Sequence, residues 1–248
     1  YADLVVFSDL HNLVPEMVFR GGQLVAQGGA MLTNTPELRP YDLRSTMNVR
    51  ANDLDLKIAA PSDRVRVIGA TGDQIVTDHL IEGATIVDGY AVADTVRDLL
   101  RFAVIERHRA TGNIGKGFVK GFGLQRGAIA GTVAHDHHNL TVIGADDTSM
   151  CCAVKAVINM GGGLVVAEGD TIIARLALPV AGLMSEAPIE DVRRDYDTLT
   201  AAARNLGSRL PDPFMTMSFM GLEVIPRLKL TDVGLVDVEQ FSVVDLFV

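Results

Sequence analysis

Leu164–Ala167 and Thr171–Leu176 are two apolar runs that double back around Glu168-Gly169-Asp170. Runs this short, separated by an acidic, glycine-centred turn, fit a β-hairpin. The same grammar recurs along the chain: Ala2–Phe7, Glu16–Arg20, Gln23–Ala26, Val65–Ile68, Ala84–Val87, Gly127–Val133 and Leu140–Gly144 all read as strands. Helix-period segments stand between them. Asp94 can cap a helix from Thr95 to about Arg109, with Val96, Leu99, Leu100, Ala103 and Val104 on one face and Gly112 beyond its end. Asp146-Asp147-Thr148 precedes a second, running through Met160 and stopped by Gly161-Gly162-Gly163. The clearest starts at Ser185 as cap, with Pro188 in its first turn. Its apolar positions Ile189, Val192, Tyr196, Leu199, Ala203 and Leu206 step by three and four, and Gly207 ends it. Interleaved strands and helices predict an α+β or α/β fold.

With 48% hydrophobic residues in 248, a substantial core needs no crosslinks. Residues 31–57 carry Pro36, Pro40 and no sustained period, so they read as a linker. Division into 1–57 and a larger domain over 58–248 follows, and a start in mid-sheet suggests that Tyr1 is not a natural domain beginning. A net charge of −9 argues against a nucleic-acid surface, which needs clustered positive charge. No apolar run approaches the roughly 20 residues that span a bilayer, and the first residues have no signal-peptide pattern. The cysteines, Cys151 and Cys152, are adjacent and poorly placed to staple distant segments, which predicts a reducing, cytoplasmic compartment.

Half of the six histidines fall in Ala134-His135-Asp136-His137-His138-Asn139, between two strand-like runs. Polar groups at the mouth of a rigid scaffold are a common way to build a site. His135-x-His137 would share a face on a strand and could be a metal pair, but a hydrolytic centre needs a third ligand or more. A loop whose imidazoles and Asp136 cap backbone groups is the alternative. Gly112-Asn113-Ile114-Gly115-Lys116-Gly117 is similar to a phosphate loop, yet lacks the Gly-Lys-Ser/Thr ending and precedes a strand. Gly121-x-Gly123 fails as a dinucleotide fingerprint for the same reason. Cys151 or Cys152 could be a nucleophile only with a base such as His135 or His138 beside it; buried helix-face thiols are the alternative.

Arg107–Gly112, Gly121–Ala128, Ala134–Asn139, Met160–Gly163, Leu178–Ser185 and Leu222–Pro226 occur in an order that resembles the carboxy-terminal domain of the bacterial adenine deaminases. Residues 1–30 resemble the closing strands of the small β-sandwich flanking the metal-dependent amidohydrolase barrel. The resemblance implies hydrolysis of adenine to hypoxanthine and ammonia by a hydroxide held on a divalent metal pair, manganese or iron. It implies that the barrel, with its metal ligands, would lie before Tyr1, on the same polypeptide or a separate subunit. This chain alone is then expected to be inactive and to bind no metal pair. Its expected share is a pocket-closing loop with His135, Asp136 and His138 as catalytic residues and Asn139 on the substrate, in a homo-oligomer. A non-catalytic structural or oligomerisation module is the competing expectation.

Overall fold

The computed structural model describes residues 1–34, 43, 46–50, 54–72 and 74–248. Of the linker expected over 31–57, residues 35–42, 44–45 and 51–53 lie outside the described residues. Residues 1–41 form one compact unit and 42–248 another.

In the first unit, β1 (Leu4–Phe7), β2 (Pro15–Arg20), β3 (Gln23–Gln27) and β4 (Ala30–Met31) make an antiparallel meander. None of its described residues is buried, and Leu4, Leu10, Leu13, Met31 and Leu32 are exposed. So little apolar burial does not offset the entropy of ordering the strands.

The second unit opens with β5 (Arg64–Ala70), β6 (Thr77–Gly83) and a small hairpin of β7 (Thr85–Val87) and β8 (Tyr90–Val92). There follow β9 (Leu100–Ile105), β10 (Ile114–Lys120), β11 (Ala128–Gly131), β12 (Leu140–Gly144), α1 (Asp147–Asn159), β13 (Gly163–Glu168) and β14 (Thr171–Ala177). The chain closes with α2 (Ile189–Asn205), α3 (Pro213–Ser218), β15 (Leu228–Thr231), β16 (Gly234–Asp237) and β17 (Ser242–Val244). Eight strands share one sheet in the order β14-β13-β11-β12-β9-β10-β5-β6, with β10 and β5 parallel and the other described pairs antiparallel. β15, β16 and β17 form a separate antiparallel sheet.

Strand pleating sorts the core into two layers. Ala103, Ile105, Ala130, Val142 and Val165 meet Met150, Ala153, Val154 and Val157 of α1. Leu100, Phe102, Ile129, Ile143 and Val166 meet Leu199 and Ala203 of α2 and Phe214 and Met217 of α3. Alternate residues of the same strand therefore serve opposite layers.

That double covering overturns the helix expected over 95–109. Only Thr95–Arg97 winds, as one 3-10 turn whose Asp94 carboxylate accepts the Arg97 N–H at 3.2 Å. Asp98 then adopts φ 52° and the chain enters β9. A strand buried on both faces is apolar almost without interruption, so a helical stripe can be counted along it by accident. Ser185 is not the cap of α2: its hydroxyl accepts the Ala187 N–H in a local turn, and the helix begins at Ile189 behind Pro188 without a side-chain cap. α3, absent from the sequence reading, has Asp212 as cap, accepting the Met215 N–H at 2.9 Å, and Pro213 in its first turn.

Candidate active site

The histidine run lies in the connection between β11 and β12, at the end of the sheet where β9 finishes. Both of its ends are fastened. The His135 N–H donates to the Ser218 carbonyl at 2.9 Å, and its ring stacks on Phe219 at 4.8 Å between centroids. At the other end Asn139 is buried and donates through Nδ2 to Asp232 Oδ1 at 3.0 Å; its Oδ1 has no partner. Asp232 also accepts from Asn113 Nδ2 at 3.3 Å.

Between these anchors Asp136 and His137 are exposed and His138 is half-buried. The Asp136 side chain is 79% exposed, its Oδ1 3.8 Å from His135 Nδ1. That is an ion-pair distance, too long for the hydrogen bond that would fix a tautomer. His137 Nε2 meets Glu223 Oε1 at 2.7 Å, and His108 Nε2 meets the His137 carbonyl at 2.7 Å. His138 sits at φ 51° with its N–H on the Ala134 carbonyl at 2.6 Å and its Nδ1 buried without a partner. Burial holds its pKa below the ordinary histidine value, and the neighbouring His135 and Arg107 push in the same direction.

Arg107 holds the assembly together and was not singled out as a site residue from the sequence. It is buried; Nε donates to the His138 carbonyl, Nη2 to the Ala181 carbonyl at 3.0 Å, and Nη1 to the carbonyl and hydroxyl oxygens of Thr46 at 3.1 Å each. One guanidinium thus ties three separate stretches of chain beneath the histidines. Gly182, at φ 71°, makes room for it: a Cβ there would stand 2.8 Å from Arg107 Nη1. Burial lowers the Arg107 pKa, against the pull of Glu106. Burial also opposes ionisation of Glu106, but the N–H groups of Thr111, Arg109 and His108 outweigh it and hold the carboxyl below its ordinary pKa. The signal for Arg107 was a charged pair, Glu106-Arg107, directly following the strand Leu100–Ile105.

The remaining candidates fall elsewhere. Cys151 and Cys152 are partly buried on α1, no described contact joins either to an imidazole, and burial pushes the Cys152 thiol up, away from a thiolate. His135 and His137 do not share a partner, since one lies on Phe219 and the other on Glu223. Among the described residues no three His, Cys, Asp or Glu side chains gather in a way that could hold a metal ion. Nor is any described helix long and apolar enough to cross a membrane.

Residues 74–242 match the family described as the adenine deaminase C-terminal domain. Over 246 residues the chain is 48% identical to an adenine deaminase of Desulfatibacillum aliphaticivorans, covering 99% of this chain and 43% of that protein. It is 46% identical over 248 residues to an adenine deaminase of Methanothrix thermoacetophila, again 99% of this chain and 43% of the relative. Adenine deaminase 2 of Carboxydothermus hydrogenoformans is 46% identical over 245 residues, 98% of this chain and 43% of its own length. The chain therefore spans well under half the length of these curated relatives. With a family match across most of the second unit and such identities along nearly every residue, the chain belongs to the adenine deaminase family, as its C-terminal part.

Proposed function

We propose that this chain is the C-terminal part of an adenine deaminase that hydrolyses adenine to hypoxanthine and ammonia, and that its histidine loop closes the pocket of an upstream amidohydrolase barrel. The observation that carries this reading is a loop bolted at both ends, to Ser218 and Asp232, whose middle leaves Asp136 uncovered. Capping alone would consume its side chains on nearby backbone; here a carboxylate and three imidazoles gather around a rigid base. The first unit supports the same reading, because its exposed apolar side chains call for further strands to complete a sandwich. We place the enzyme in the cytoplasm, as a homo-oligomer.

The family's metal pair, manganese or iron, belongs on the barrel in this proposal. The residues here form His–carboxylate pairs and do not fit a metal centre of their own. Their chemistry is that of proton handling and orientation. Deamination replaces the exocyclic amine of the purine with oxygen from water, and the departing ammonia takes up a proton. His135 and His138 present imidazole nitrogens that can donate or accept a proton, and Asp136 carries its carboxylate beside His135. Asn139, buried against Asp232, sets the height of His138 rather than reaching the ring itself.

The test joins the chain to the barrel region of the family and measures ammonia release from adenine. His138→Asn tolerates the positive φ, so folding should be spared; turnover is expected to fall about 100-fold or more, the usual scale for a lost acid–base group. Unchanged turnover would leave the loop a purely structural element. The chain by itself, mixed with adenine and manganese, is expected to release no ammonia.

A further inference from the structure

A cleft of about 690 Å³ lies at the other end of the sheet from the histidine loop. β9 separates the two: Asp98 precedes its first residue and Arg107 follows its last, so the ends stand about 17 Å apart at the rise of a strand. The cleft's walls include Asp98, Gln125, Arg204, Ser208 and Arg209. A volume of this order accommodates a small-molecule ligand.

Its polar groups are unevenly occupied. Both Asp98 carboxylate oxygens are taken, accepting the Gly121 and Gly123 N–H groups at 2.8 Å. The donors are less engaged. Arg204 makes one long contact, to the Pro211 carbonyl at 3.3 Å, and Gln125 Nε2 has only contacts of 3.3 and 3.4 Å. Arg209 makes no hydrogen bond or ion pair among the described residues. Ser208 is 4% exposed, yet its hydroxyl has no partner. Arg204 stands in the last turn of α2, where the helix dipole alone would favour a cation; Arg209, beyond the helix end, has no such account. Two guanidiniums against one carboxylate make the cleft locally positive on a chain of net charge −9.

We propose that this cleft binds a small phosphate-bearing molecule, up to a nucleoside monophosphate in size, with Arg204 and Arg209 on the phosphate. Planar guanidiniums suit the oxygens of a phosphate, and the space beyond them takes more than the phosphate alone.

Titration calorimetry of the 248-residue chain with AMP, adenosine and inorganic phosphate tests this. AMP is expected to bind saturably, at least tenfold tighter than adenosine, and more weakly as salt rises from about 50 to about 200 mM. Arg209→Gln should weaken AMP at least tenfold with an unchanged melting temperature, because Arg209 supports nothing else in the fold. Phosphate binding as tightly as AMP would support the site and make the phosphate group its whole ligand. Absence of saturable binding by both AMP and phosphate, equal affinity for adenosine and AMP, or an Arg209→Gln variant that binds like the parent would each overturn the proposal.

Discussion

Asn139→Asp changes one amide into a carboxylate of the same shape and aims it at another carboxylate. The amide assignment is secure on chemical grounds: Asp232 is an acceptor, so the group 3.0 Å from its Oδ1 is the Asn139 nitrogen. Two charges at that distance repel by about 5 to 6 kcal/mol at an effective dielectric of about 20. The folded variant can escape by keeping a proton on the new carboxyl. Holding it at pH 7, against an ordinary pKa of about 3.9, costs about 1.4 kcal/mol per pH unit, or about 4 kcal/mol. That cheaper route sets the ceiling, and the half-buried position of Asp232 lowers it somewhat. The new group's pKa is raised in the folded state, so the folded variant binds more protons than the unfolded one above about pH 4. Its stability therefore rises as pH falls. Urea denaturation of parent and variant should give a gap of about 3 to 4 kcal/mol at pH 7 that shrinks to about 1 to 2 kcal/mol at pH 5. Asp232→Asn in the same chain should close most of the gap at pH 7. A gap that is absent, or the same at both pH values, would refute the reasoning.

Two further outcomes follow from buried neighbours of the loop. Lys229 is fully buried, its ammonium donating to the Ile75 and Phe219 carbonyls at 2.9 and 3.0 Å, and burial brings its pKa from 10.5 down to about 8. Between those values the unfolded chain holds the proton and the folded one does not, so this group adds about 3 kcal/mol of stability as pH rises through the window; Lys229→Met should remove that rise, and equal slopes in denaturation series from pH 7.5 to 10.5 would sink the account. Gly115 packs against the β15–β16 turn so closely that a Cβ would fall 1.8 Å from the Thr231 carbonyl oxygen; Gly115→Ala should cost about 2 kcal/mol or more by overpacking, and a urea midpoint equal to the parent's would contradict it.

The elements that were legible in the sequence are those whose ends are marked by local chemistry. α1 has Asp146 as cap, accepting the Ser149 N–H at 2.8 Å, and a glycine stop, so local chemistry alone marks its ends. The β13–β14 hairpin is likewise announced by its turn, with the two strands pairing from Glu168↔Thr171 outward. β9 was misread because helices on both sides of the sheet erase the alternation that identifies a strand. The start of α2 was misplaced for a different reason: Ser185 has a capping residue's chemistry but spends it on a turn of its own, three residues before the cap position at Pro188.

The site divides along the same line. His135 to Asn139 stand out because polar residues interrupt strands, which needs no knowledge of the fold. What makes them an ordered group comes from far along the chain: Phe219 under His135, Glu223 on His137, Arg107 behind His138 and Asp232 on Asn139. Asp232 is the instructive one. In sequence it is an acidic residue two positions before a glycine, fit for any surface turn. Only the pairing of β15 with β16 and the missing side chain at Gly115 bring that turn against the sheet end, where its carboxylate meets both Asn139 and Asn113. A residue's role as an anchor depends on what the fold lets approach it, so it can be seen only once the strands are in register. The loop's chemistry was written locally, while its rigidity, which the proposed lid requires, was written in contacts that no local pattern encodes.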